Sequence, residues 1–152
     1  MIYKIFGVTF YDIDLNQFLK KKNKGLVVLP SGPGLSTIYT DKIYHKSIQN
    51  ADIALFDSGY FILLLRLFKG IRVSKFSGYK FLKSFFIFYK NKKIFCIETD
   101  KRSANINKKY LKKFNIDLKN KQYVAPFYKK KSYIMDNSLL KILKKEKPKT
   151  IM

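Results

Sequence analysis

Asp57, Ser58 and Gly59 follow the apolar run Ile53, Ala54, Leu55, Phe56 and precede a helical pattern over residues 60–68. That order places a carboxylate at the carboxyl end of a buried strand. In a parallel α/β sheet this is the edge where strand ends and helix N-termini converge on ligands. A carboxylate so placed can take a proton from an acceptor hydroxyl, as general base catalysis requires. It can equally cap the helix that follows, a role open to Ser58 as well. Three further loops map to the same edge. Pro30, Ser31, Gly32, Pro33 and Gly34 offer close backbone approach, a hydroxyl and free amides at a helix start, which suits a sugar or a phosphate. A plain turn would use the same residues, and the spacing matches neither the P-loop nor GxGxxG. Lys75, Ser77, Gly78 and Lys80 can hold a pyrophosphate by charge and by helix-start amides, or form a solvated basic loop. Glu98, Thr99 and Asp100 end a later strand and can meet ribose or sugar hydroxyls.

Other chemistry finds little support. His45 is the one histidine, on a polar helix face where a surface role is expected. Cys96, the one cysteine, lies inside the apolar run 94–97 and is expected to be a buried, inert thiol with no internal disulfide partner. One His and one Cys leave no Ser-His-Asp or Cys-His set and no zinc site. Two carboxylates for ordinary glycoside hydrolysis cannot be assigned either. Neither a metal nor a cofactor is expected.

The elements that must position these residues are read from periodicity and punctuation. Residues 2–10 alternate and are rich in β-formers, giving a first strand. Asp14 caps a helix over 15–22, whose Leu15, Phe18 and Leu19 share a face. After Gly25, residues 26–29 are continuously apolar, as in a strand covered on both faces. Residues 35–49 read as helix with a break near Asp41, residues 53–56 as a third strand, and residues 60–68 as a helix closed by Gly70. A short extended piece covers 71–73. Ser77 and Gly78 open a helix through Tyr89, with Phe81, Leu82, Phe85, Phe86 and Phe88 on its buried faces. Asn91 turns the chain into a strand over 94–97, and Ser103 caps a helix to Phe114. Residues 123–125 form a further strand, and Asp136 or Asn137 caps a helix over 138–145. Strands separated by helices specify βαβ crossovers. The fold class is therefore α/β, Rossmann-like, with a mostly parallel sheet flanked by helices, in a single domain over residues 1–152. Thr150, Ile151 and Met152 read as the start of another strand, so the chain is expected to be cut short at its C-terminus.

A formal charge of +22 and a pI near 10.0 raise the expectation of an anionic partner. All but three of the 32 basic residues are lysines, and Ile, Asn, Phe and Tyr are abundant, a joint bias typical of AT-rich coding. Sequence-specific DNA readers lean on arginine, and here only Arg66, Arg72 and Arg102 are present. No nucleic-acid partner is taken as expected, although Tyr123, Phe127 and Tyr128 beside Lys129, Lys130 and Lys131 keep a basic stacking surface as a rival reading. The apolar runs fall far short of the ~20 residues needed to span a bilayer, and residues 1–10 lack a secretory signal. A cytoplasmic location with peripheral membrane contact is expected.

Taken in order, residues 26–29 with their loop, Ala51, Asp52, Phe56, Asp57, Ser58, Gly59, Gly70, Lys75 to Gly78, Phe81, Leu82, the run 94–97 and Val124 to Tyr128 resemble the WecG/TagA/CpsF family of bacterial glycosyltransferases (glycosyltransferase family 26). The resemblance implies transfer of an N-acetylhexosamine-type sugar from a UDP donor to a polyprenyl-diphosphate-linked acceptor in cell-surface polysaccharide synthesis. It further implies an inverting, metal-independent enzyme with Asp57 as the base. Ser31, Gly32 and Gly34 would then line the sugar site, Lys75, Ser77 and Gly78 would contact the diphosphate, and Ser58, Gly59 and Lys80 would be further substrate-binding residues. Lys75 stands where the family usually has Arg, which keeps the charge and loses the bidentate fork. Leu29 and Ser31 stand where the family commonly shows Thr-x-Asn, and Lys80 stands where an acidic residue is usual. The family's later Pro-x-Gln-Glu-type segment and basic tail have no counterpart. The implied setting is the anionic inner face of the cell membrane, with self-association left open. The alternative is an inactive or truncated remnant of the family.

Overall fold

Phe6 and Gly7 both occupy left-handed backbone, with φ of 56° and 73°, and they divide the expected first strand in two. In this computed structural model, β1 (Ile2–Ile5) and β2 (Val8–Tyr11) pair as an antiparallel hairpin with Ile5 opposite Val8. A two-residue turn with positive φ at both positions matches the twist of its strands, and the inward face changes parity across it, from Tyr3 and Ile5 to Val8 and Phe10. A phenylalanine in that conformation is uncommon. Its ring is held against Tyr39 and Phe61, with centroids 5.4 and 5.9 Å away. His45 Nε2 donates to the Phe6 carbonyl at 2.6 Å. The histidine expected at the surface is instead a half-buried tie to the hairpin turn.

The structure describes residues 1–20, 24–88, 94–119, 121–128 and 134–152. Lys22, Tyr89, Asn91 and Lys129, Lys130 and Lys131, named above, lie outside the described residues. The chain's contacts divide into two compact units, Met1–Phe85 and Phe86–Met152.

In the first unit, Asp14 accepts hydrogen bonds from the amides of Asn16 and Gln17 and so caps α1 (Leu15–Lys20). The strand order is β1-β2-β4-β3, with β3 (Val27–Val28) and β2 both parallel to β4 (Ile53–Leu55). β4 is central, so its two faces meet two cores. Ala54 and Phe56 join Val8, Phe10, Ile38, Ile48 and Phe61 on one side, where the Phe10 and Phe56 rings stack at 4.8 Å. Leu55 packs on the other side with Phe18 and Phe76. β3 differs from expectation: it is an edge strand, half-buried, and Leu26 beside it is 52% exposed. An apolar run reads the same whether one neighbour or two flank it. The Asp52 carboxylate accepts from the Leu26 amide at 2.7 Å and fills the space a Cβ on Gly25 (φ 100°) would need.

The break near Asp41 is present. α2 (Gly32–Ser36) precedes α3 (Lys42–Gln49), and Asp41 accepts from the Tyr44 amide at 3.0 Å to cap α3. α4 (Gly59–Lys69) ends on Gly70 in the left-handed conformation, φ 63°, as a C-terminal glycine allows. α5 follows over Gly78–Phe88.

The second unit places β5 (Ile94–Glu98) between β6 (Gln122–Val124) and β7 (Thr150–Ile151), all parallel. Residues 150–151 thus form the strand expected of them. α6 (Lys101–Lys112) is capped by Asp100, which accepts from the Ser103 amide at 2.8 Å and from the Ser103 hydroxyl at 2.7 Å. Ser103 is expected in that role, but the helix starts three residues earlier than its hydroxyl suggests. Asp136 caps α7 (Asn137–Glu146) through the Leu139 amide. Among the described strands only β1 and β2 run antiparallel. The architecture is the Rossmann-like α/β class expected, with its strands shared between two sheets.

Candidate active site

Because β2, β3 and β4 run parallel, their carboxyl ends deliver Asp12, the loop after Leu29 and Asp57 to one edge. A distant segment, residues 74–78, is fastened across that edge at three points. The Ser74 amide donates to Asp12 Oδ1 at 3.1 Å, the Phe76 amide to the Phe56 carbonyl at 2.8 Å, and the Gly78 amide to Asp57 Oδ1 at 2.8 Å. Between the outer ties the Phe76 ring is buried, 5.5 Å from Phe18 and 5.6 Å from Phe81. Gly78 is needed for closeness. A Cβ there would lie 3.2 Å from both Asp57 Oδ2 and Leu29 Cδ2.

Asp57 therefore does not cap the helix that follows it. Ser58 does that, its hydroxyl accepting from the Phe61 amide at 3.3 Å. Asp57 instead holds the first amide of α5, 21 residues further along. The side chain is half-buried. One oxygen is fixed, and Oδ2 receives no hydrogen bond from the described residues.

Lys75 reaches from the fastened loop to the start of α4, its ammonium 3.7 Å from where a Cβ on Gly59 would be. An ammonium and a helix N-terminus carry the same sign, so together they favour an anion between them. Gly32, at the start of α2, faces the same place: a Cβ on it would sit 3.5 Å from Ser58 Oγ. Ser31 holds the N-cap position of α2, yet its hydroxyl makes no capping bond and is exposed. At Gly34 the phenol of Tyr44 occupies the room a side chain would take, with Cζ 2.6 Å from the Cβ position. Burial pushes the Tyr44 phenol pKa up.

The structure brings Ser31, Gly32, Asp57, Ser58, Gly59, Lys75, Ser77 and Gly78 to one edge, with Gly34 behind them. Ser77 serves partly as a cap, accepting from the Lys80 amide at 3.4 Å through its hydroxyl. Lys80 is exposed and joins this group only through that amide. Two neighbours were not foreseen. Asp12 follows its strand just as Asp57 follows β4, a signal present in the residues but left unused. Tyr44 has no local signal, because only the fold brings α3 against Gly34.

The acidic loop that follows β5, in the second unit, is structural. Glu98 is 6% exposed and accepts from Asn107 Nδ2 at 2.8 Å and Gln122 Nε2 at 3.2 Å, one amide on each carboxylate oxygen, so it is not open to a ribose. Thr99 donates to Asp100, and the Ser103 amide bonded to Asp100 holds that carboxyl below its usual pKa. Cys96 is buried, and burial with the nearby Glu98 charge pushes its thiol to about 11. Tyr123 and Tyr128 both donate to Asp136 Oδ2, at 2.8 and 2.5 Å, and that bond pushes Tyr128 to about 12. Phe127 between them is 96% exposed.

Among the described residues no three His, Cys, Asp or Glu side chains gather as a metal ion would need, and no helix is long and apolar enough to cross a membrane. No curated protein matches the sequence. The family model described as Glycosyl transferase WecG/TagA/CpsF family matches residues 3–152, and the chain belongs to that family of glycosyltransferases.

Proposed function

We propose that the protein transfers an N-acetylhexosamine-type sugar from a UDP donor to a hydroxyl of a polyprenyl-diphosphate-linked acceptor, with inversion and without a metal ion, in cell-surface polysaccharide synthesis. The observation that carries this reading is the divided carboxylate of Asp57, fixed at Oδ1 by the Gly78 amide and open at Oδ2, beside the Lys75 ammonium at the start of α4. Oδ2 takes the acceptor hydroxyl's proton as that oxygen attacks the anomeric carbon. The anomeric bond to the diphosphate breaks on the opposite face, and the proton passes later from Asp57 to solvent. UDP leaves with its new negative charge met by Lys75 and by the helix-start amides near it, an arrangement in place before the charge develops. Ser31 and Gly32 line the sugar with Gly34 backing them against Tyr44, while Ser77 and Gly78 shape the diphosphate side. The charge of +22 supports a peripheral seat on the anionic inner face of the cell membrane, where a lipid-linked acceptor lies.

The test measures UDP release from UDP-N-acetylhexosamines with a polyprenyl-diphosphate-linked sugar present. Asp57→Asn keeps an oxygen for the Gly78 amide and removes the base, so kcat is expected to fall by about 10²–10⁴-fold. Equal rates for the native chain and the variant would sink the proposal.

A further inference from the structure

The geometry points to a second aspartate in the same reaction: we infer that Asp12 is a positioning residue that keeps Lys75 at the departing diphosphate. The inference rests on the transferase reading above. Asp12 and Asp57 leave neighbouring parallel strands, Tyr11 of β2 standing opposite Leu55 of β4. Each uses one carboxylate oxygen to accept a backbone amide of the same loop, Asp12 at Ser74 and Asp57 at Gly78. Lys75 follows the first of these ties directly. Asp12 is itself anchored, its amide donating to the Met1 carbonyl at 2.8 Å and its carbonyl accepting from the Met1 ammonium at 3.0 Å.

The two ties differ in what happens to them during turnover. When Asp57 takes the acceptor's proton it becomes a neutral acid, and hydrogen bonds to ionised groups are roughly twice as strong as neutral ones. The hold on Gly78 therefore slackens at the moment the leaving group needs the ammonium. The proton never reaches Asp12, so its tie to Ser74 stays at full strength. A lysine side chain has four rotatable bonds and many rotamers. Its head stays aimed at Gly59 only while its backbone is fixed, and the Asp12 tie fixes it on one side as the Phe76 tie does on the other.

The experiment compares the full chain with Asp12→Ala, Asp12→Asn and Asp12→Glu. Asp12→Ala is expected to lower kcat about tenfold, the worth of one hydrogen bond to a charged group, with donor KM little changed. Asp12→Asn keeps the accepting oxygen and is expected to recover most of the rate. Asp12→Glu keeps the charge and misplaces the oxygen, so it should run slower than Asp12→Asn. That contrast decides the matter even where the alanine variant does not fold. In a Lys75→Ala background, Asp12→Ala should cost nothing further, since the two act through one ammonium. Hydrogen exchange at the Ser74 and Lys75 amides should quicken in Asp12→Ala and not in Asp12→Asn. Multiplying effects of Asp12→Ala and Lys75→Ala, or a glutamate variant faster than the asparagine one, would overturn the role. An active native chain matched in rate by Asp12→Ala overturns this role alone. A native chain with no turnover overturns the transferase reading and this role with it.

Discussion

Asp57 and Glu98 both close a buried parallel strand, and each opens a short acidic or polar stretch before a helix. Their surroundings then separate them. Glu98 is enclosed, one oxygen on Asn107 from α6 and the other on Gln122 from β6. Asp57 spends one oxygen on a backbone amide and keeps the other uncommitted. An acid at a strand end thus becomes structural when the next helix and strand bring side-chain amides. It stays available for chemistry when they bring only glycine and backbone. Asn107, Gln122 and Gly78 decide the matter, more than the acids themselves.

That contrast can be broken most sharply by truncating both acids. Asp57→Ala should abolish measurable transfer and, freeing one backbone amide, lower the melting temperature less than Glu98→Ala, which should leave transfer little changed. The latter leaves the Asn107 amide without its acceptor and Gln122 with the Ala104 carbonyl alone, at about 1–2 kcal/mol, a fall of several degrees in melting temperature. Matching phenotypes in calorimetry and in the UDP-release assay would erase the distinction. Next in size is Lys75. Lys75→Ala should reduce kcat about a hundredfold with modest change in donor KM, and Lys75→Arg should recover much of it, because charge at the leaving group matters in the transition state. An alanine variant with native kcat would remove Lys75 from the site. The smallest effect sharpens the role of closeness. Gly78→Ala inserts a methyl 3.2 Å from Asp57 Oδ2 and Leu29 Cδ2, so it should displace the carboxylate by a few tenths of an ångström. Turnover should drop about tenfold with stability near native, and full activity would show that this contact is slack.

Much of the framework was legible because its signals are local. Ser58 and Gly70 bracket α4, Asp41 interrupts α2 and α3, and residues 150–151 form a strand, each announced by residues within a turn of the feature. The hairpin was not legible. Its one pattern signal is a change of parity in the inward positions, from Tyr3 and Ile5 to Val8 and Phe10, and phenylalanine at a positive-φ position carries no turn signature. The edge position of β3 was hidden because strand order is set by distant partners. At the site, the sequence offers Asp57 and the glycines, since strand, acid and glycine are adjacent. The ties that assemble them span 21 and 62 residues. The strand-end position of Asp12 was legible, but its tie needed the fold, because nothing near it says that residue 74 will arrive there. The misassigned cap of α6 shows a subtler limit: Asp100 and Ser103 bond to each other, and either could have opened the helix.

The buried ring of Phe76 has a consequence for how substrates arrive. The stretch is tied at Ser74, Phe76 and Gly78 and plugged in the middle by that ring. On the transferase reading, donor and acceptor therefore meet a wall already in place, which has little freedom to lose as they settle.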